Sequence, residues 1–254
     1  MPYSGVTEYA DAFTNAASTT HTITLNSTFV SDYNTAVAAG ERIFIALLHE
    51  NDFKEDDTLL ETPSTTSGVL ANGDGSQFYT MEAATTSNRP RIKATHGDGT
   101  IDTIYAFGSG GEDDSNLSTS DASGVTARNK TTADFNIDFI TTAMVAHQVV
   151  AGRAGTVRYV RRYFMTFDVG HEETGGTGIA ASCQIILTST ADETGFLART
   201  STKKTHICKV NPDSTSNWAD GDFDSLVGWR SSDTYEADAE ESVTHNANFF
   251  GSNF

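Results

Sequence analysis

The sequence predicts an all-β fold. Thr, Ser, Asn, Asp and Gly are abundant, apolar runs are short, and Gly alone occurs 21 times, which is typical of many short strands joined by turns. Several segments also alternate apolar and polar residues with the period of two expected of half-buried strands. With 254 residues the chain can bury a substantial core, either as one large β domain or as two small ones.

The first half of the chain, residues 1–108, contains five predicted strands. They are HTITLNSTF, in which Phe29 is expected to face the core, the apolar run of RIFIALLHENDF, and then FYTMEAAT, RPRIKATHG and TIDTIYAF. The apolar run has the character of a central strand, and Pro90 places its segment at an edge or a strand entry. SDYNTAVAAGE predicts a helical turn, and residues 54–77, which are rich in Pro and Gly, predict a loop.

Residues 109–132 have the Ser, Gly and acidic content of a linker and divide the chain. Residues 133–254 then supply further predicted strands in ADFNIDFITTAMVAHQVV, VRYVRRYFMTFDV, GIAASCQIILTST and KKTHICKVNP, followed by the aromatic segment WADGDFDSLVGW. The two halves do not repeat each other. The strongest segments predict a core that includes Phe44, Ile45, Leu47, Ile92, Phe164, Phe167, Ile185 and Leu187.

The chain is strongly acidic, with a formal charge of -18 and a pI near 4.5. Because a phosphate backbone is bound by Lys and Arg, this charge argues against a nucleic-acid partner. The N-terminal residues lack the basic and apolar parts of an export signal, and no segment has the roughly 20 apolar residues that span a bilayer. We therefore expect a soluble protein that is made in a cytoplasm and is not inserted into a membrane.

Cys183 and Cys208 lie in two predicted strands. In a reducing compartment we predict two buried thiols, and a disulfide between neighbouring strands is the alternative. In the segment RRYFMTFD we expect Arg161 or Arg162 to form an ion pair with Asp168, against the alternative of a solvated basic pair.

No catalytic motif of the GxSxG, HExxH, P-loop or GxGxxG kind occurs, and no Cys/His cluster suggests zinc. We expect a protein that is not an enzyme and needs no cofactor, with calcium as the candidate ion. Asp220, Asp222 and Asp224 offer alternating oxygen ligands within one turn, and an acidic turn without metal is the alternative. The polar cluster His49 to Asp52 similarly predicts either an acid–base or metal site or a plain strand end.

Aromatic residues near the C-terminus are the candidates for contact with surface glycans. Trp218, Trp229 and Tyr235 carry rings that can stack on sugars. The alternative is that these rings fill a sandwich core, which aromatic side chains also favour.

RRYFMTFDVG (161–170) and GTGIAASCQIILTS (176–189) resemble two strands of a known family. The first is similar to its Arg-x-Φ-Φ-x-Phe-Asp strand, where Φ is apolar, and the second to its x-Ile-x-Ser-Ala-x-Leu-x-Leu strand, although Ala181-Ser182 stands where Ser-Ala is usual. The family is that of the DNRLRE-type modules, jelly-roll domains of secreted bacterial proteins, often with a carbohydrate-binding label, and of bacteriophage virion proteins.

The first half resembles the remainder of the same module. TITLNSTFVSDYNTAVAAGERIFIALLHENDF is similar to its later strands, and SNRPRIKATHG to its terminal Arg-Pro-x-Leu-x-Val-Thr-Tyr strand, so the two halves stand in reversed order. The resemblance implies one jelly-roll-like antiparallel β-sandwich. The halves meet either within one chain, as in a circular permutant, or between chains by head-to-tail strand exchange. A third arrangement has two separate small β domains.

The resemblance implies a structural or adhesive virion protein of a bacteriophage: a head decoration, head fibre or tail-fibre subunit whose partners are copies of itself and other virion proteins. One alternative is a surface filament subunit, located outside the cell, that assembles by strand exchange. Another is a carbohydrate-binding adhesin. A glycan hydrolase or lyase rests only on the many carboxylates.

Overall fold

The protein is described from a computed structural model, in which the described residues are 6–16, 18–54, 71–107, 114–137, 141–152, 155–170, 179–190, 204–212 and 218–227. These residues form twelve strands: β1 Phe13–Thr14, β2 Thr20–Thr24, β3 Ile43–His49, β4 Ala71–Tyr79, β5 Arg91–His96, β6 Ile101–Tyr105, β7 Asp114–Asp121, β8 Phe135–Ile137, β9 Thr142–Gly152, β10 Gly155–Phe167, β11 Ala180–Thr188 and β12 Lys204–Lys209. The helices are α1 Ser27–Ala39, α2 Glu50–Phe53 and α3 Gly124–Arg128, with short 3-10 turns at Thr86–Asn88 and Asp220–Asp224.

The strands form two antiparallel sheets, which confirms the predicted all-β sandwich. The eight-stranded sheet has the order β1-β12-β3-β10-β7-β8, and β9 pairs with both β10 and β4. The four-stranded sheet has the order β2-β11-β5-β6. Buried residues of both sheets form one hydrophobic cluster, so the main core lies between the two layers.

Each sheet contains strands from both halves of the sequence. β3 lies between β12 and β10, and β11 lies between β2 and β5. In the four-stranded sheet, Ile185 of β11 lies opposite Ile23 of β2 on one side and opposite Ile92 of β5 on the other. The sandwich is therefore closed within one chain, and β5 shares a sheet with the later strand β11.

Strand β3 is buried on both faces, which explains why it is a continuous apolar run rather than an alternating one. Ile43, Ile45 and Leu47 face the core shared with the four-stranded sheet and α1. Phe44, Ala46 and Leu48 face a second core, which short helices and the segment around Phe223 cover. All eight residues of the predicted core are buried: Phe44, Ile45, Leu47, Ile92, Phe164, Phe167, Ile185 and Leu187.

A helix of 13 residues, α1, replaces the strand end and the single helical turn that the sequence predicted. Asn26 caps it, since its side-chain oxygen accepts a hydrogen bond from the Phe29 N–H at 3.1 Å. Phe29 is therefore buried as a helical residue and not as part of the strand HTITLNSTF. The strand was predicted too long because Asn26 was not recognised as a helix cap. The apolar alternation ends at Leu25, one residue before this cap.

Residues 109–132 were predicted to be a linker, but they include β7 and α3. The sequence DSNLSTSD of β7 is polar, yet its first six residues are buried. Their side chains are satisfied by hydrogen bonds: Asn116 Nδ2 donates to the Arg162 carbonyl at 3.0 Å, and Thr119 Oγ1 donates to the Ala127 carbonyl at 2.5 Å. The prediction was wrong because composition does not reveal such long-range partners. Likewise, the end of the predicted loop 54–77 belongs to β4.

The end of α1 and the end of β10 meet at two glycines. Gly40 ends α1 with φ 72°, in the left-handed region that glycine favours. Gly170 donates a backbone hydrogen bond to the Glu41 carbonyl at 3.0 Å, and a Cβ on Gly170 would lie only 2.2 Å from the backbone carbon of Gly40.

Gly170→Ala is expected to lower the free energy of unfolding by about 2 kcal/mol, because the atoms it meets are backbone and cannot turn aside. Gly97→Ala is the matched control, since no atom lies within 4 Å of a Cβ at that position. Urea unfolding measures both variants. Equal stability of the two variants would contradict the close approach.

Candidate functional site

Trp218, a predicted glycan-contact residue, is buried in the second core and is 5% exposed. Its ring packs edge-on against Phe44 at 5.7 Å between centroids and lies 4.9 Å from the ring of Phe164. The expectation of a surface platform was therefore wrong at this position, because the ring fills the space above the eight-stranded sheet. Trp229 and Tyr235 lie outside the described residues.

The predicted calcium residues Asp220, Asp222 and Asp224 form a 3-10 turn. The fully buried Asp222 closes this turn, since its Oδ2 accepts the backbone N–H of Ala219 at 2.7 Å, while Asp220 is exposed. Within the described residues, which include all three aspartates, no three His, Cys, Asp or Glu side chains come together as a metal-ligand group. The geometry supports the alternative of an acidic turn held by its own hydrogen bonds.

A buried ion pair stands at the centre of the second core. Arg162 Nε and Nη2 contact the two Asp52 oxygens at 2.7 and 3.0 Å, and both side chains are 0% exposed. The guanidinium also donates to the backbone carbonyls of Phe223 and Arg128 and lies 3.9 Å from the centre of the Phe223 ring. These bonds tie β10, α2, α3 and the Asp220–Asp224 turn together.

The predicted ion pair of Arg162 with Asp168 was wrong, since Arg162 pairs with Asp52 and Asp168 lies 3.8 Å from Nε of Arg42. The guanidinium of the other candidate, Arg161, lies 5.8 Å from the centre of the Tyr159 ring. Arg162 points instead to the face of β10 that carries Phe164, because alternation places residues two apart on one face. Asp52 also belongs to the polar cluster that was predicted to be a catalytic or metal site; in the same cluster His49 Nδ1 accepts the Asn51 N–H at 3.2 Å as the cap of α2.

A second buried acid, Asp114 at the start of β7, accepts hydrogen bonds from neutral donors. Its Oδ2 accepts the Met81 N–H at 2.8 Å and the Tyr163 hydroxyl at 2.7 Å. Burial, followed by the negative charge of Glu82, raises the pKa of Asp114 to about 7. Burial and the Asp114 charge raise the pKa of Tyr163 as well, so its hydroxyl remains a donor. This acid was not predicted from the sequence, because residue 114 lies in the segment 109–132 that was predicted to be a linker.

Because the ordinary pKa of Asp114 is 3.8 and its folded value is about 7, the wild-type protein is expected to lose stability as the pH rises through this window, and to stay at the lower level above it. Asp114→Asn keeps both acceptor bonds without the charge. Relative to wild type, its free energy of unfolding should rise between pH 4 and 8 by a few kcal/mol, since one pKa unit corresponds to about 1.4 kcal/mol.

Asp134→Asn is the control for this pH dependence. Partial burial would raise the pKa of Asp134, but hydrogen bonds from Lys130 and Ser120 lower it below 3.8, the opposite direction. The stability that Asp134 contributes is present above its ordinary pKa and is lost as the pH falls, so its Asn variant should show no gain on raising the pH. Chemical denaturation at several pH values measures both variants; a flat difference for Asp114→Asn would contradict the assignment.

The outer face of the four-stranded sheet, away from both cores, is the candidate functional surface of the described residues. Strand register places its side chains in three rows: Ser182, Thr95 and Ile101; Thr24, Gln184, Lys93 and Thr103; Thr22, Ile186, Arg91 and Tyr105. Most of these side chains are exposed or half-buried, and the alternate residues Ile92 and Ala94 of β5 are buried inward. We call this surface the outer face.

The outer face carries two cations and no carboxylate in its three rows, although the whole chain has 34 Asp and Glu against 16 Lys and Arg. Arg91 is held in position, since its Nη1 donates to the Ser87 carbonyl at 2.7 Å and the Arg89 carbonyl at 3.3 Å. The alternation of Arg91, Lys93 and Thr95 with buried neighbours in RPRIKATHG is the sequence signal that identifies this face.

Both cysteines are buried free thiols, as predicted. Cys183 lies in β11 of the four-stranded sheet and Cys208 in β12 of the other sheet. Burial raises the pKa of Cys183 to about 12 and that of Cys208 well above its ordinary value, which keeps both thiols protonated and unreactive.

The helices of the described residues include none long and apolar enough to cross a membrane. Among known proteins, no protein-family model, no curated protein and no solved structure matches the chain.

Proposed function

We propose that this chain is a non-enzymatic structural or adhesive protein of a bacteriophage particle: a head decoration, head fibre or tail-fibre subunit that contacts copies of itself and other virion proteins. The observation that carries the proposal is the interleaving of the two halves into one closed sandwich. The segments that resemble the jelly-roll modules of phage virion proteins include β10, β11 and β5, and β11 and β5 pair with each other.

The use of the ionisable side chains supports the same proposal. Arg162 and Asp52 join four elements of the second core, and His96 and Asp102, 2.7 Å apart, join β5 to β6. His206 and Glu8, 2.6 Å apart, join β12 to the N-terminal segment. These pairs stabilise the scaffold, which suits a protein whose task is to persist in an assembly.

The closed sandwich bears on the alternative of a filament formed by strand exchange. β3 and β5 already pair with second-half strands of their own chain, so the same pairings are not open to a neighbouring chain. The alternative of a carbohydrate-binding adhesin loses Trp218 as a stacking residue because that ring is buried. The virion proposal is therefore preferred.

Immunogold electron microscopy tests the proposal. Antibodies raised against the purified chain are applied to the lysate of cells that express its gene together with neighbouring genes, after fractionation on a density gradient. We expect gold on phage-like particles, at heads or tail fibres. Label on cell-surface filaments, or only on soluble protein, would contradict a virion role.

A further inference from the structure

We propose that the outer face of the four-stranded sheet is a self-association surface that binds the carboxylate-bearing surface of a second copy of this chain, head to tail. The inference rests on the proposed function, because a subunit of an assembly needs a contact with its neighbours. It assigns that contact to one face and names Lys93 and Arg91 as its charged residues.

Charge complementarity supports a second copy as the occupant. Arg91 and Lys93 stand on adjacent rows of β5, and the residues beside them in register are Ile186, Tyr105, Gln184 and Thr103, none of which is acidic. The chain as a whole has a formal charge of -18. The surface of any other copy therefore supplies an excess of carboxylates outside this face, while the face itself supplies cations.

The remaining side chains of the face suit a protein contact. Thr22, Thr24 and Thr103 are exposed and short, so they lose little conformational entropy when they are covered. Ile101 is 59% exposed at one end of the face. An exposed aliphatic side chain beside a polar surface is expected of a contact that has an apolar part and a polar part.

The charges also determine the symmetry of the contact. A twofold arrangement of outer face against outer face would bring the Arg91 and Lys93 cations of both copies into one interface whose three rows hold no carboxylate, which is repulsive. The outer face must then meet a different, acidic surface of the neighbour. Such a heterologous contact repeats from copy to copy and produces a ring or an open filament.

Sedimentation velocity of the full chain at about 150 mM salt tests the inference. At this salt concentration the Debye length is ~8 Å, so the general repulsion between acidic copies is screened, while contacts between adjacent charges persist. The variants are Lys93→Glu and, as control, Lys204→Glu. Lys93 is a half-buried strand lysine, and Lys204 is an exposed strand lysine in β12 of the other sheet. Both substitutions change the net charge equally, and circular dichroism shows whether each variant is folded.

We expect the weight-average mass of the wild-type chain to rise with concentration. Lys93→Glu should weaken association by about tenfold or more, as loss of a contacting charge does, and Lys204→Glu should leave it unchanged. Monomeric wild type at all concentrations, or equal effects of the two variants, would overturn the inference. Retention of a monomeric wild type on a sulfated-polysaccharide column that Lys93→Glu abolishes would also overturn it, in favour of an anionic glycan. None of these results contradicts a virion role tested by immunogold labelling.

Discussion

Replacement of Arg162 by Met is expected to lower the free energy of unfolding by about 3–5 kcal/mol, the usual cost of removing one partner of a buried ion pair. The variant leaves the Asp52 carboxylate 0% exposed and without its bidentate partner. It also removes the donors to the Phe223 and Arg128 carbonyls, which would remain in the second core. Guanidinium chloride unfolding followed by tryptophan fluorescence measures the loss, since Trp218 lies in the same core.

Arg42→Met is the matched control. Arg42 pairs with Asp168 at 3.8 Å, and its side chain is 27% exposed, so water screens the pair and its loss should cost about 1 kcal/mol or less. The double variant Asp52→Leu with Arg162→Met removes both charges and should be more stable than Arg162→Met alone, because no unpaired carboxylate remains. If Arg162→Met costs no more than Arg42→Met, the ion pair does not have the structural role assigned to it.

The apolar core was predictable from the sequence because its signal is local. The run from Ile43 to Leu48 and the segments around Phe164 and Ile185 identify strands by alternation or by continuous hydrophobicity, and the structure buries each of them. The same alternation in RPRIKATHG distinguishes the inward Ile92 from the outward Arg91, so the outer face could also have been inferred. The alternation did not show, however, which strands flank β5.

The polar interior was not predictable because its partners are far apart in sequence. Arg162 and Asp52 are separated by 110 residues, and Asp114 and Tyr163 by 49. The buried polar strand β7 has the composition of a linker, and only its hydrogen bonds to other elements explain its burial. The prediction for Trp218 was wrong for a different reason. An aromatic residue suits a core and a sugar-binding platform equally well, and composition does not distinguish the two.

Fragment complementation tests the central claim, that the two halves of the sequence form one interleaved sandwich. Residues 1–108 and 109–254 are prepared as separate polypeptides and studied alone and mixed. In the first fragment β3 loses both neighbours, β10 and β12, and in the second fragment β11 loses both β2 and β5. A half-sandwich leaves its apolar face and strand edges open, so neither fragment is expected to fold alone.

Thermal unfolding followed by circular dichroism, together with amide proton spectra, is the decisive measurement. We expect no cooperative transition and poorly dispersed amide signals for each fragment alone, and a sharp single transition with dispersed signals for the equimolar mixture. Two separate transitions, with dispersed signals from each fragment by itself, would contradict the interleaved sandwich and would show two independent β domains instead.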